Sequence, residues 1–265
     1  MNQQERRQFL IRRLLDEQPG YREMAIPSGE PEQRKLLRSL FNVRMPVEIG
    51  EDFLNVQDDY LRKRISENGI VQLTEIPVIR DGLSLWQGDI TRLAVDAIVN
   101  AANSQMLGCF VPMHSCIDNC IHSFAGVQLR AECGRQMDQL RAKYGRDYEQ
   151  PTAVPMLTDA YNLPAKKIVH IVGPIVSGRL TPEAEDELAA CYRNTLDLCA
   201  ENGLRSVAFC CISTGVFGFP QGRAAEIAVE TVTAWLDERG EQMDRVIFNV
   251  FTDKDRDLYA KLLQQ

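Results

Sequence analysis

Ser206-Val207-Ala208-Phe209-Cys210-Cys211-Ile212-Ser213-Thr214-Gly215-Val216-Phe217-Gly218-Phe219-Pro220 is the stretch on which the fold turns. Its first six residues form a short, nearly continuous apolar run, the pattern of a buried strand. Glycines at 215 and 218 and then Pro220 interrupt it, and a helical pattern follows at about Gly222. Those glycines let backbone amides approach a ligand closely, and Ser213 and Thr214 add hydroxyls. Amides and a helix dipole aimed at one point hold phosphate without lysine. A tight β–α turn with no ligand has the same spacing, so the loop alone leaves both readings open.

Strands are expected at Leu83–Trp86, Ala97–Asn100, Ala153–Leu157, Lys167–Val172, Ser206–Cys211 and Val246–Val250. Helices are expected at about 118–132, 183–201, 222–238 and 254–263. Strands alternating with helices of this length predict an α/β fold with a largely parallel sheet covered on both faces. Ligands of such sheets bind beyond the carboxyl ends of the strands. Upstream, residues 1–75 read as a helical extension and 76–265 as the main domain. Phe9, Leu10 and Leu14 share one helical face, Leu36, Leu37, Leu40 and Phe41 a second, and Phe53, Val56 and Tyr60 a third. The extension has no His and no Cys, and no chemistry is expected of it.

The net charge of −7 argues against a nucleic-acid binder working by phosphate neutralisation. No apolar run approaches the roughly 20 residues needed to cross a bilayer, and Arg12 and Arg13 interrupt the apolar residues near the start. A cytoplasmic monomer without membrane or nucleic-acid partners is the expectation. In a reducing compartment the eight cysteines read as buried thiols, metal ligands or reactive groups. Cys191, Cys199, Cys210 and Cys211 lie in apolar segments and look like small core residues. Cys109, Cys116, Cys120 and Cys133 crowd together, with His114 and His122 among them. His170, flanked by apolar residues in a strand, reads as a satisfied core histidine.

The chain from about residue 83 onward resembles the macrodomain family. The resemblance rests on Gly88-Asp89-Ile90, on Val95-Asp96-Ala97-Ile98-Val99-Asn100-Ala101-Ala102-Asn103, and on Ser213-Thr214-Gly215-Val216-Phe217-Gly218. Ile121-His122-Ser123-Phe124-Ala125-Gly126 and His170-Ile171-Val172-Gly173-Pro174 also match, all in order. It implies a three-layer α/β/α fold and ADP-ribose as ligand. Asp89 would bond the adenine amino group and Ile90 would contact the ligand. Ser213, Thr214, Gly215, Val216 and Phe217 would wrap the diphosphate, with Phe217 beside the distal ribose. Asn103 would reach that ribose, and Ile117 and Asp118 would line the same site. A turn or capping role for Asp89, Asn103 and Asp118 is the alternative.

The chain departs from the common family pattern after Leu107-Gly108. Where a glycine run is usual, it reads Cys109-Phe110-Val111-Pro112-Met113-His114-Ser115-Cys116. Two thiolates and an imidazole at this spacing form a candidate zinc set, with a fourth position left for water or substrate. A loop of buried thiols, or a redox pair, has the same composition. The loop resembles the zinc-containing bacterial branch of macrodomains, which also carries a helical N-terminal extension. That resemblance implies one zinc ion on Cys109, His114 and Cys116. Cys120, four residues on, is expected within reach of it, and His122 to point elsewhere.

The implied activity is hydrolysis of mono-ADP-ribose from modified proteins at C1″ of the distal ribose, with Asn103 and Asp118 catalytic. A lipoylated carrier protein modified by a sirtuin-type transferase is an implied substrate. A non-catalytic ADP-ribose reader, an O-acetyl-ADP-ribose deacetylase and a thiol redox sensor are the competing readings.

Overall fold

A computed structural model of the chain describes residues 1–264, which fall into two compact units. The first comprises residues 1–69, 107–145 and 161–163. It holds α1 (Gln3–Glu17), α2 (Glu30–Val43), α3 (Glu51–Asn68), α4 (Ile117–Ala125) and α5 (Val127–Tyr144). A capping box between Asn2 and Glu5 starts α1, satisfying backbone donors that have no partner within the helix. The apolar faces expected of the first three helices bury Leu10, Leu14, Leu37, Leu40, Phe41, Phe53 and Tyr60 in one core, closed by Val127 at the start of α5.

The single helix expected at about 118–132 is two helices. Gly126 breaks it with φ 102. That backbone conformation favours glycine, and a Cβ there would also press on the amide ends of Gln57 and Asn162, 2.7 and 3.0 Å away.

The second unit comprises residues 70–106, 146–160 and 164 onward. It contains β1 (Val71–Gln72), β2 (Leu83–Gln87), β3 (Leu93–Ala94), β4 (Ala97–Ala102), β5 (Met156–Asp159), β6 (Lys167–Val172), β7 (Ser206–Phe209) and β8 (Arg245–Val250). Its helices are α6 (Pro182–Glu201), α7 (Gln221–Arg239) and α8 (Asp253–Leu263). The main sheet runs β2-β8-β7-β4-β6-β5. Every pairing in it is parallel except that of β5 with β6. The inner strands β4, β6, β7 and β8 are buried along almost their whole length, whereas the edge strands β2 and β5 are mixed. Burial on both faces is the reason the inner strands read as apolar runs.

Two strand expectations shift. Ala153 sits in a turn at φ 62, and the strand begins instead at Met156. β7 ends at Phe209, two residues before the apolar run does. Among the described residues no helix is long and apolar enough to cross a membrane.

Asp96, just before β4, ties the strand starts together. Its Oδ2 accepts from the backbone N–H groups of Arg205 and Ser206 at 2.9 and 3.0 Å and from the Ser206 hydroxyl at 3.0 Å. Lys166 Nζ lies 2.6 Å from Oδ1. Burial raises the carboxyl's pKa, but the bonds from Lys166, Arg205 N–H and Ser206 outweigh it and hold the group below the usual carboxylate value of 3.8. The stabilisation is therefore present above pH 3.8 and is lost as pH falls through the depressed folded-state pKa. Asp96→Asn should cost about 1–2 kcal/mol at neutral pH in urea unfolding. The gap between variant and wild type should close as the pH drops below the carboxylate range; a gap independent of pH would contradict the assignment.

Candidate functional site

In the sheet unit, the residues expected to bind ligand follow strands. Gly88 and Asp89 follow β2. Asp89 caps a short 3-10 turn over Ile90–Arg92, its Oδ1 accepting from Thr91 N–H at 3.0 Å and from the Thr91 hydroxyl at 2.7 Å. The cap fixes the direction of the carboxylate. Ile90 is buried. Asn103 leaves β4 into a turn. Its Oδ1 accepts from Gln105 N–H at 3.0 Å, and its carbonyl accepts from Met106 N–H at 3.0 Å. The turn role considered for both residues is thus present, and each oxygen so used orients the rest of its side chain.

The loop after β7 is held by its own backbone. Gly218 N–H donates to Gly215 O at 3.1 Å, and Phe219 N–H to Ser213 O at 3.0 Å. Val176 N–H donates to Phe217 O at 2.8 Å. The Thr214 hydroxyl donates to Cys211 O at 3.0 Å, so its proton is committed to the loop and not to a ligand. Ser213 is buried at φ 65, a conformation that costs a non-glycine residue about 1 kcal/mol. Gly173 has no space for a Cβ, because the Ser213 hydroxyl and Ile212 Cγ2 occupy it. Val216 at the loop tip is 83% exposed.

His170 is fully buried in β6. Asn100 Nδ2 lies 3.0 Å from its Nδ1 and Thr158 Oγ1 lies 3.0 Å from its Nε2. Burial pushes its pKa down to about 3, so the ring is neutral and structural, as its sequence setting suggests.

In the helical unit, the loop after Leu107 gathers Cys109, His114 and Cys116. One ligand atom from each lies within 4.8 Å of the others, and Cys109 Sγ is 3.8 Å from His114 Nδ1. Local chemistry explains the gathering. Val111-Pro112-Met113-His114 closes a turn through His114 N–H to Val111 O at 3.2 Å, with Met113 at φ 59. Cys116 is the N-cap of α4, its Sγ accepting from Asn119 N–H at 3.5 Å. Asn119, wholly buried, donates through Nδ2 to the carbonyls of Cys109 and Val111 at 3.3 and 2.9 Å. Burial, and then the neighbouring Cys109 sulfur, push the Cys116 thiol up to about 12. Two adjacent thiols that resist ionising together are a natural match for a divalent cation, which reverses that cost.

Cys120, expected within reach of this set, is not one of the three gathered residues. Its Sγ lies 3.5 Å from Arg38 Nη2. His122 does point elsewhere than to the triad. Its ring packs on Gly108, where a Cβ would come within 2.7 Å of two ring carbons, and its Nε2 lies 3.6 Å from Asp118 Oδ1. Asp118 is buried in the first turn of α4, where the helix dipole favours a carboxylate. Ile117, the first residue of α4, is half-buried.

The helices expected to carry no chemistry supply the loop's outer support. Asn42 at the end of α2 accepts from Met113 N–H through Oδ1 at 3.0 Å and donates through Nδ2 to the Ser123 hydroxyl at 2.8 Å. Arg38 Nη2 donates to His114 O and to Asn119 Oδ1, both at 2.8 Å. Arg130 of α5 donates to the carbonyls of Phe41, Asn42 and Arg44 at the end of α2, and to Leu107 O at 2.6 Å, while packing 4.2 Å from the Phe110 ring centre. Apart from the bond to Leu107, these three residues bond across 71 to 89 positions of sequence, and no local motif marks them.

Residues 99–228 match the Macro domain family. A protein-ADP-ribose hydrolase of Treponema medium is 51% identical over 99% of this chain and 100% of its own length. The chain belongs to the macrodomain family.

A protein-ADP-ribose hydrolase of Staphylococcus aureus is 43% identical, over 98% of this macrodomain and 96% of that protein. Among solved structures, the Trypanosoma brucei macrodomain in complex with ADP-ribose superposes with a TM-score of 0.65 at 29% identity, covering 85% of this chain and 94% of the other. The expected fold is that of the family: a mostly parallel central sheet with helices on both sides, plus N-terminal helices.

Two substitutions test how this macrodomain builds its cysteine loop. Arg130→Met removes four hydrogen bonds to buried carbonyls and should lower stability by about 3 kcal/mol in urea unfolding; a change below about 1 kcal/mol would show that the carbonyls find other donors. Gly108→Ala places a methyl group against the His122 ring at φ 78. It should cost roughly 1–2 kcal/mol or more and shift the His122 ring resonances in NMR spectra; an unmoved ring would show that the contact is slack.

Proposed function

We propose that this macrodomain is a cytoplasmic protein-ADP-ribose hydrolase that uses one zinc ion to remove mono-ADP-ribose from modified proteins, cutting the bond to C1″ of the distal ribose. The hydrolase reading is supported by full-length relatives of that name at 51% and 43% identity. The observation that carries the zinc reading is the meeting of Cys109, His114 and Cys116 within 4.8 Å. Zinc–sulfur bonds near 2.3 Å and zinc–nitrogen bonds near 2.0 Å put tetrahedral ligand atoms roughly 3.5–3.8 Å apart. The 3.8 Å between Cys109 Sγ and His114 Nδ1 is about 0.3 Å beyond the sulfur–nitrogen end of that range, so a small inward movement of the side chains would suffice. Three protein ligands leave one position open, the arrangement of a catalytic site and not of a structural one. When bound there, zinc would supply Lewis acidity to a water or to a ribose hydroxyl.

The remaining roles belong to the chain's own residues. Asp118 would orient a water and accept its proton, and the His122 ring, seated on Gly108, would limit how the carboxylate turns. Asn103 would hold the distal ribose through its amide. Asp89, held by its cap, would accept from the adenine amino group, and Ile90 would contact the ligand. Ile117 would line the ribose side, and Phe217 would pack against that ribose. Ser213, Thr214, Gly215, Val216 and Phe217 would meet the diphosphate chiefly through backbone N–H groups, since the Thr214 hydroxyl proton is already used. Binding energy taken from the adenine and diphosphate ends would orient the reacting carbon. The resemblance to the zinc-containing branch extends the proposal to a lipoylated carrier protein, modified by a sirtuin-type transferase, as the substrate.

The test is release of ADP-ribose from a mono-ADP-ribosylated protein, with and without a tight zinc chelator. Release should be lost on chelation and restored by zinc. Cys116→Ser should slow it roughly 100-fold, with a much smaller change in the calorimetric affinity for free ADP-ribose. Full release in the presence of chelator would sink the zinc reading. Tight ADP-ribose binding with no release from the wild type would make the protein a reader.

A further inference from the structure

Cys120 poses a problem for an open zinc site. It lies four residues after Cys116, one helical turn along α4 on the same side. A third thiolate on that side would complete a Cys3His set, which is the closed form of structural zinc centres and leaves no position for water or substrate. Zinc's affinity for thiolate favours that outcome. Something must hold Cys120 back.

The candidate is Arg38. Its Nη2 lies 3.5 Å from Cys120 Sγ, and the same nitrogen donates to His114 O and Asn119 Oδ1 at 2.8 Å each. The two short bonds lock the guanidinium in place. One is to the backbone of a proposed ligand, and the other is to the amide that pins Cys109 and Val111. Those two bonds use both Nη2 hydrogens, so the 3.5 Å contact with Cys120 Sγ is one of charge with a fixed cation, and Cys120 is not among the three gathered ligand atoms. Arg38 comes from α2, which also supplies Asn42 to Met113 N–H. The loop alone therefore does not determine how many thiols reach the metal.

We propose that Arg38 is a positioning residue that keeps the metal site three-coordinate in protein ligands by sequestering Cys120. This rests on the zinc reading above. Without Arg38, Cys120 joins Cys109, His114 and Cys116, and the centre changes from an open to a closed one. A helix of the N-terminal extension thereby sets the coordination number, hence whether the centre has room for chemistry.

The experiment uses full-length protein stripped of metal under reducing conditions and loaded with cobalt(II), whose sulfur-to-metal charge-transfer band counts thiolate ligands. Wild type should give a two-thiolate spectrum, and Cys120→Ser should leave it unchanged. Arg38→Met should raise the band roughly 1.5-fold, from two thiolates to three, and should retain cobalt longer against a chelator. Arg38→Met with Cys120→Ser should return to the wild-type intensity, a reversal that loss of fold would not produce. An Arg38→Met spectrum equal to wild type overturns the inference, as does loss of one thiolate in Cys120→Ser alone, which does not require the Arg38 variant to fold. A wild type that takes up no cobalt and no zinc sinks the metal reading itself, so the two failures are distinguishable.

Discussion

A buried guanidinium anchors the helical unit. Arg130 is 4% exposed, and burial lowers its pKa to about 10, which leaves it charged at neutral pH. An unpaired cation there would be costly. The chain offsets that cost with four carbonyl oxygens and the face of Phe110. Three of those carbonyls belong to Phe41, Asn42 and Arg44, at the end of α2, where a helix has acceptors with no intrahelical partner. The fourth is that of Leu107, where the cysteine loop begins. One side chain therefore satisfies the negative end of a helix and fixes the start of the loop from the same point.

From that anchor a polar chain runs along the loop. Asn42 holds Met113, Asn119 holds Cys109 and Val111, and Arg38 holds His114. Each bond goes to the loop backbone, so the loop's path is set independently of its cysteine and histidine side chains. Backbone held in this way keeps the loop's side chains in place, so that little freedom would be lost on binding a ligand there. The sheet unit uses the same device in Asp96, one carboxylate gathering the backbone ahead of β7 and the lysine ahead of β6. Among the non-glycine residues at positive φ are Met106 after the Asn103 turn, Met113 in the cysteine loop and Ser213 before Gly215. Such conformations persist only where surrounding contacts impose them.

Much of this was legible in the chain. The inner strands announce themselves because burial on both faces demands a continuous apolar run, and β6 is found at Lys167–Val172 as expected. That Cys109, His114 and Cys116 could come together was legible because all three fall within eight positions of one loop, and the structure brings them within 4.8 Å. The strand expected from Ala153 was misplaced because the apolar pattern does not reveal that Ala153 takes a positive φ. The break in the helix expected at 118–132 is not legible because a lone glycine in a helical pattern does not reveal that Gly126 takes a φ of 102.

The α/β class, the order of the elements, the glycine-bearing loop after β7 and the clustering of cysteine and histidine after Leu107 can all be read from the chain alone. These depend on periodicity and residue chemistry, which are local. It took the folded chain to show that α2 supports the cysteine loop, that Cys120 meets Arg38 and is not gathered with Cys109, His114 and Cys116, and that Thr214 gives its hydroxyl proton to Cys211 O. Those outcomes depend on which buried donors and acceptors find each other across long stretches of chain. That pairing is set by the requirement that buried polar groups be satisfied once the fold has formed.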